Sequence, residues 1–168
     1  MLIISERTNA ALQELIRECF QCNRNADRWV SVLGVDLVCP QAAKLLHQHV
    51  AHYFPAAADV IGEKTLERYN ISVAYGETKP PIEPEKNIID IATKFEEMGL
   101  DFQSMLMATI KIAFEENDFH VYADLLDILA EYNKIVEQLI LVKDKAERYS
   151  DVMSFDHDIP DFWILGEE

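Results

Sequence analysis

One helix stops and the next one starts within the stretch Ala113-Phe114-Glu115-Glu116-Asn117-Asp118-Phe119-His120. On both sides of it, apolar residues recur at spacings of three and four, which is the pattern of amphipathic helices. Asn117-Asp118 is a good capping pair, so it predicts the start of the second of these helices. Because only one or two residues separate them, the two helices are predicted to pack as a tight antiparallel hairpin.

The same periodicity predicts four long helices over most of the chain. They run from Ser5 or Thr8 to about Trp29, from Cys39-Pro40 to about Asn70, from Glu83-Pro84 to about Asn117, and from Asn117-Asp118 to about Tyr149. Proline is favourable at the first helical position, as at Pro40, whereas Pro55 lies inside the second helix and is expected to kink it. The chain has only five glycines and six prolines, and this scarcity also favours long helices.

The connections between these helices differ in length, and the difference predicts the topology. Residues 30–38 join the first helix to the second, whereas the extended and proline-rich residues 71–81 join the second to the third. Two hairpins and one long connection favour an all-α fold, namely an up-down-down-up four-helix bundle with a crossover between helices two and three.

The predicted bundle occupies residues 1–150, and residues 151–168 form a C-terminal tail. Apolar side chains are frequent in this tail: Phe155, Phe162, Trp163, Ile164 and Leu165. A segment with so much apolar surface is not expected to remain in solvent. We therefore expect the tail to dock on the bundle or on a neighbouring subunit.

The composition excludes several classes of function. A chain of 168 residues that is 49% apolar is long enough for one well-packed domain. Thirty Asp and Glu against fifteen Lys and Arg give a net charge of −15, which repels phosphate backbones, so no nucleic-acid partner is expected. No apolar run approaches the ~20 residues of a membrane span, and the start of the chain does not resemble a signal peptide. Three cysteines are too few, and odd in number, for a disulfide framework, so the chain is predicted to be cytoplasmic. The lack of a membrane span predicts that it has no membrane partner.

The stretch from Ala113 to His120, continued by residues 123–131, resembles the corner between the third and fourth helices of ferritins and of miniferritins (Dps). The crossover falls at the ferritin-like distance before this corner, and Ile164-Leu165-Gly166-Glu167 resembles the end of the short fifth helix of ferritins. The resemblance implies a ferritin-like homo-oligomer, such as a closed shell, that binds and stores iron and protects against oxidative stress by peroxide.

Ferritin-type enzymes hold two irons inside the bundle with inward-facing Glu and Glu-x-x-His side chains, so the inward stripes of this chain were compared with that pattern. The stripe of helix one is Leu12, Leu15, Ile16, Cys19, Cys22, Ala26 and Trp29. The stripe of helix three is Ile88, Ile91, Phe95, Met98, Phe102, Met105, Thr109 and Ile112. The stripe of helix four is Tyr122, Leu125, Leu126, Leu129, Asn133, Val136 and Ile140. Since none contains a carboxylate, and Glu97, Asp101, Asp127 and Glu131 fall on outward faces, no di-iron centre is predicted within the bundle.

Miniferritins place their iron site between two subunits, beside helix two. Their pattern has His-Trp at the end of helix one, where this chain has Arg28-Trp29, so one ligand would be lost. On helix two, Glu63-x-x-x-Glu67-Arg68 resembles the acidic run of the miniferritins.

Helical geometry makes a similar site conceivable here. At ~100° per residue, His52, Asp59, Glu63 and Glu67 fall within about 80° of one another, and His49 lies on the same strip. Imidazole and carboxylate groups suit Fe, Zn or Mn. These five residues are the predicted metal ligands, with iron as the expected metal and His49 as a reserve. The competing interpretation is a solvated acidic face, on which a histidine forms a hydrogen bond at an interface.

Three functions therefore remain open. The first is iron storage, with ferroxidase activity left undecided; the second is a non-catalytic ferritin-like bundle that serves as a structural or partner-binding module. The third is a bundle that holds a small hydrophobic ligand among its Met and Phe side chains. Cys19-x-x-Cys22 lies on an apolar face without a second pair, so it is interpreted as buried packing. No catalytic residue is predicted.

Overall fold

Helices make up most of the computed structural model, which describes residues 3–166. The helices of the bundle are α1 (Glu6–Val35), the short α2 (Pro40–Leu46), α3 (Tyr53–Thr65), α4 (Ile88–Glu115) and α5 (Phe119–Arg148), followed by the short α6 (Val152–Asp158). A π-helical turn, His47–Ala51, joins α2 to α3, and 3₁₀ turns cover Glu67–Tyr69 and Ile159–Phe162. The described range contains no strand, so the predicted all-α fold is confirmed.

Side-chain amides of α1 bind the backbone of the long crossover, residues 71–87. The Gln21 amide donates to the Lys79 carbonyl (3.2 Å) and accepts from the Lys79 N–H (2.7 Å). One turn further along α1, Asn25 accepts from the Ile82 N–H (3.1 Å), and the Trp29 indole N–H donates to the Ile82 carbonyl (2.7 Å). An extended segment without a strand partner thus has the peptide groups of Lys79 and Ile82 satisfied by one helix.

A residue nearer the start of α1 binds the start of the crossover in the same way. Gln13 donates to the Ser72 carbonyl (3.0 Å) and accepts from the Ala74 N–H (2.8 Å). Gly76 lies on the stem of Arg17, where an added Cβ would come within 3.3 Å of the Arg17 Cδ. We call α1 positions 13, 17, 21, 25 and 29 the α1 ladder; consecutive members are four residues, or ~40°, apart, so they form a stripe that winds slowly around the helix.

The α1 ladder determines the direction of the remaining helices. Positions along α1 and along the crossover increase together, so the crossover runs parallel to α1. It ends where Lys86 pairs with Asp36 (3.1 Å), beside the C-terminal end of α1. From there α4 runs antiparallel to α1, and α5 returns. The topology is up-down-down-up, as predicted.

The corner between α4 and α5 closes in a way that the capping pattern did not predict. Asn117 has a left-handed backbone (φ 60°), and the Asp118 N–H donates to the Ala113 carbonyl (2.9 Å), which ends α4. The Asp118 carboxylate makes no capping bond to α5; it accepts instead from the Ser5 N–H (3.2 Å). Asp118 is the N-cap residue of α5, as predicted, but its side chain ties the start of α1 to the corner instead of capping α5.

The second predicted helix is interrupted at the point that Pro55 implied. Proline cannot donate to the carbonyl four residues earlier and collides with it. Here that carbonyl, on Ala51, accepts from the Asn23 side chain of α1 (3.0 Å). The backbone widens into the π turn, in which the His52 N–H donates to the His47 carbonyl (3.1 Å). The regular helix then ends at Thr65 rather than near Asn70.

Two other helix ends also differ from the prediction. α1 continues past Trp29 to Val35, because Val32 and Leu33 are buried against the bundle. α4 begins at Ile88 rather than at Glu83-Pro84, since Asn87 caps it by accepting from the Asp90 N–H (2.7 Å).

The inward face of α5 is rotated from the predicted one. Leu126, Asn133 and Ile140 were expected inside but are exposed, with Leu126 39% and Ile140 45% accessible. The buried face includes Ile128 and Tyr132 instead. Apolar residues occur on both faces of α5, so periodicity alone fits more than one stripe.

The C-terminal tail packs on its own bundle. The Asp156 carboxylate accepts from the Ala42 N–H (2.8 Å) and the Gln41 N–H (3.4 Å), so it caps α2, whose own N-cap Cys39 makes no side-chain capping bond. Trp163 is buried. Residues 164–166 are not helical, and Glu167, the last residue of the fifth-helix resemblance, lies outside the described residues.

Across residues 3–166, none of the helices combines the length and the apolar character that a membrane crossing requires.

Substitution of Gln21 tests the α1 ladder. Gln21→Ala leaves the Lys79 N–H and carbonyl without their partner, so we expect it to lower the free energy of unfolding by about 1–2 kcal/mol. Gln13→Ala, the matched control, breaks equivalent bonds at the more exposed end and should cost less. Urea unfolding followed by circular dichroism measures both, and a negligible cost of Gln21→Ala would contradict the ladder as a main support of the crossover.

Candidate functional site

The space between the four long helices is filled by closely packed aromatic rings. Tyr53 and Phe54 come from α3, Phe102 from α4 and Tyr132 from α5; we call these four residues the aromatic centre. Ring centroids lie 5.0 Å apart for Phe102 and Tyr132, 5.3 Å for Phe54 and Phe102, and 5.5 Å for Tyr53 and Tyr132. Phe102 meets Phe54 and Tyr132 edge to face, whereas the rings of Tyr53 and Tyr132 are tilted by 34°. Such contacts stabilise the interior beyond simple burial.

Of the two tyrosines in the aromatic centre, Tyr132 is the one whose hydroxyl makes a hydrogen bond. It donates to the Gly99 carbonyl of α4 (2.5 Å), which is possible because α4 and α5 approach closely at Gly99. A Cβ added at Gly99 would lie 2.8 Å from the Leu139 Cδ1, so a larger residue would push the helices apart. Burial raises the pKa of Tyr132 far above its ordinary value, and the nearby Cys22 and Tyr53 add to the rise.

Two thiols of α1 face the same space. Cys19 and Cys22 are fully buried, and burial raises the pKa of both well above the ordinary thiol value, with the charge of Glu18 adding to it. Burial likewise raises the pKa of Cys39 to about 11, with help from the Asp156 carboxylate. Because the thiolate is the reactive and metal-binding form, all three behave as small apolar groups at neutral pH.

The interior donors are therefore phenol and thiol groups rather than the carboxylates and imidazoles that the ferritin resemblance implies. Glu97, Asp101, Asp127 and Glu131 are exposed, as predicted. Within residues 3–166, no three or more His, Cys, Asp and Glu side chains form a group that could hold a metal ion.

The predicted acidic strip lies on the outer surface. His52, Asp59, Glu63 and Glu67 are all exposed. His52 directly precedes α3, and Asp59 and Glu63 follow on the same face of that helix. Glu67 lies beyond the end of α3, in the 3₁₀ turn, so the strip is continuous only from His52 to Glu63.

His49, the reserve ligand, does not lie beside His52. Its ring faces Trp163 of the tail, with centroids 5.8 Å apart, and its Cε1 would touch a Cβ added at Gly166 (2.5 Å). Gly166 has φ +78°, a conformation that glycine adopts without strain. The π turn rotates the residues before His52 relative to those after it, and this is why the two histidines separate.

Sequence reasoning missed the neighbour that His52 does have. The rings of His47 and His52 meet edge to face, with centroids 4.2 Å apart, and the Asp27 Oδ1 of α1 lies 3.6 Å from the His47 Nδ1. In a regular α-helix, residues five apart point roughly 140° away from each other. Pro55 was the available signal, since it indicated a break in the helix.

Solved structures of archaeal ferritins superpose on this chain. An open-pore ferritin from the hyperthermophilic archaeon Archaeoglobus fulgidus matches with a TM-score of 0.85 at 13% identity, covering 93% of this chain and 96% of that one. A humanized archaeal ferritin also matches at 0.85 and 13%, over 94% and 96%. An Archaeoglobus fulgidus ferritin engineered into a closed form matches at 0.83 and 14%, over 94% and 96%.

No protein-family model and no curated protein sequence matches the chain. The structural likeness shows that the chain has the ferritin-like fold, which confirms the resemblance seen in the corner and the crossover. At 13–14% identity it shows the fold alone, and function has to be argued from the side chains.

The raised pKa of Tyr132 predicts a loss of stability at alkaline pH. The unfolded chain releases the Tyr132 proton above pH ~10, whereas the folded chain keeps it. The stabilisation is complete below that pH and is lost as the pH rises, by up to ~1.4 kcal/mol per pH unit, because the unfolded state then binds fewer protons. Tyr132→Phe should make this decline shallower.

Urea unfolding at a series of pH values measures the slope, which is separate from any uniform cost of losing the hydrogen bond to Gly99. The matched control is Tyr75→Phe, since Tyr75 is 61% exposed on the crossover. Equal slopes for Tyr132→Phe and the unsubstituted chain would show that Tyr132 ionises in the folded protein.

Proposed function

We propose that this chain is the subunit of a ferritin-like homo-oligomer that binds and stores iron as its cargo. The observation that carries the proposal is the match to archaeal ferritins over nearly the whole length of both chains. Those neighbours are ferritins. The same cargo and the same kind of assembly are proposed for this chain. Keeping ferrous iron away from peroxide would be the protective consequence.

The charge of the chain supports iron as cargo. Thirty acidic residues against fifteen basic ones give −15 per subunit. If many copies enclose a space, their fields add and raise the local concentration of Fe²⁺ without any specific ligand. The same charge opposes the binding of phosphate polymers.

The proposal includes the absence of a di-iron centre within each bundle. Such a centre needs inward carboxylates, and burial of these without a metal costs several kcal/mol. The aromatic centre, Cys19 and Cys22 take up the corresponding space, and their protonated hydroxyls and thiols are poor ligands for two irons.

Iron would then bind where subunits meet, along the acidic strip. His52, Asp59, Glu63 and Glu67 are exposed and available to a neighbouring copy. Carboxylate oxygens and imidazole nitrogens are suitable ligands for iron. His49 would join this set only if the tail moved away from it, since Trp163 and Gly166 lie against its ring.

A second candidate function is a non-catalytic ferritin-like bundle that acts as a structural or partner-binding module. The observation that favours it is that residues 3–166 of one chain hold no group of three or more metal-binding side chains. On this interpretation the chain has kept the fold and lost the site.

The mass of the particle with and without ferrous iron separates the two functions. Storage predicts a large homo-oligomer whose sedimentation increases after iron loading, with iron confirmed by elemental analysis. The double variant Glu63→Gln, Glu67→Gln should assemble but take up iron several-fold more slowly, because two anionic ligands are removed. Glu137→Gln, an exposed change on α5, is the matched control.

A monomer or dimer that takes up no iron would contradict storage and favour the structural module. An oligomer that loads iron equally in the double variant would instead contradict the acidic strip while leaving storage in place.

A further inference from the structure

The π turn places two imidazoles side by side. His47 and His52 are five residues apart, and the extra residue in the turn brings them onto one face, with ring centroids 4.2 Å apart. The i to i−5 hydrogen bond from the His52 N–H to the His47 carbonyl (3.1 Å) holds both backbones in this arrangement. π turns are frequent at functional sites.

The turn is held by buried contacts, so the backbone that carries the two rings is fixed. Val50 and Ala51, on the inner side of the turn, are fully buried. The Asn23 side chain binds the Ala51 carbonyl (3.0 Å) and so satisfies the group that Pro55 leaves free. Rings fixed by a rigid backbone lose little freedom when they bind a ligand.

A carboxylate from α1 lies behind one of the rings. The Asp27 Oδ1 is 3.6 Å from the His47 Nδ1, and both side chains are about half exposed, at 50% and 45%. A carboxylate beside Nδ1 favours the tautomer that carries its proton there, which leaves the Nε2 lone pair free. Histidine ligands of metals usually donate their second ring N–H to a carboxylate. Asp27 is the carboxylate near His47, and at 3.6 Å it needs a small side-chain shift to accept that hydrogen bond.

We propose that His47 and His52 form a two-imidazole site for a borderline divalent transition metal, of which Zn²⁺ and Cu²⁺ are examples. Asp27 orients His47, and water completes the coordination. Two nitrogen ligands favour these ions over Mg²⁺ and Ca²⁺, which prefer oxygen. With only two protein ligands the site stays open and exchangeable, and this agrees with the lack of any three-ligand group in residues 3–166.

This site does not depend on the proposed function. It lies within a single chain and uses neither Glu63 nor Glu67, although His52 is shared with the acidic strip. His47 and Asp27 belong to the new site alone, so substitutions there separate the two proposals.

Isothermal titration of the full chain with Zn²⁺ tests the site. Physiological salt and excess Mg²⁺ occupy the acidic surface during the titration, and we expect one Zn²⁺ per chain. His47→Asn should weaken binding at least tenfold, and Asp27→Asn about tenfold through the lost orientation of His47. His157→Asn, the matched control, replaces a histidine on α6 whose side chain is 83% exposed, and it should bind as the unsubstituted chain does.

Electron paramagnetic resonance of the Cu²⁺ form gives an independent readout. Hyperfine splitting from two nitrogens is expected in the unsubstituted chain, and from one nitrogen in His47→Asn. Far-UV circular dichroism checks that the variants fold, and the exposed position of Asp27 makes its variant a second test if His47→Asn unfolds.

Unchanged Zn²⁺ affinity in both His47→Asn and Asp27→Asn would overturn the proposal, as would an equal loss in His157→Asn. Iron uptake distinguishes this site from storage. If the site is correct, Glu63→Gln, Glu67→Gln retains Zn²⁺ binding, and His47→Asn retains the rate of iron uptake.

Discussion

The backbone of the extended crossover needs hydrogen-bond partners, and α1 provides them at Ser72, Ala74, Lys79 and Ile82. An extended segment of this length inside a compact domain is uncommon unless something pairs with its backbone. Gln13, Gln21 and Asn25 act as a side-chain edge that binds the crossover much as a neighbouring strand would. Because this edge lies along one helix, it fixes both the direction of the crossover and the end of the bundle at which α4 begins.

The interior shows what a ferritin-like frame becomes when its centre is built for packing. Aromatic rings from three helices and two protonated thiols from α1 fill the centre of the bundle. No buried carboxylate therefore has to be neutralised at this centre. The aromatic centre gains edge-to-face contacts and the hydrogen bond from Tyr132 to Gly99. Under the proposed function, iron binds on the surfaces of the bundle, where imidazoles and carboxylates are accessible.

Local patterns predicted the fold well because they depend on neighbours in sequence. The α4–α5 corner, the long crossover and the inward stripe of α1 are all of this kind, and together they define the topology. The rotation of α5 was missed because its outer face also carries Leu126 and Ile140, so two stripes fit the same sequence. The outward acids on α4 and α5 were predicted correctly.

The features that sequence reasoning missed depend on contacts between distant residues. The π turn requires Asn23 of α1 to bind the Ala51 carbonyl, and a pattern within the second helix cannot contain that information. The pairing of His47 with His52 follows from this turn, and the proximity of Asp27 depends on how two helices pack. His49 was assigned to the wrong neighbour for the same reason.

The bond from Ala42 to Asp156 spans 114 positions of sequence and has a consequence for biosynthesis. The ribosome makes α2 before α3, α4 and α5, but the carboxylate that caps α2 is translated only after α5. Until then the first turn of α2 has free N–H groups that no side chain covers. The cap of α2 is therefore completed only once the segment that follows α5 has been made and has docked on the bundle.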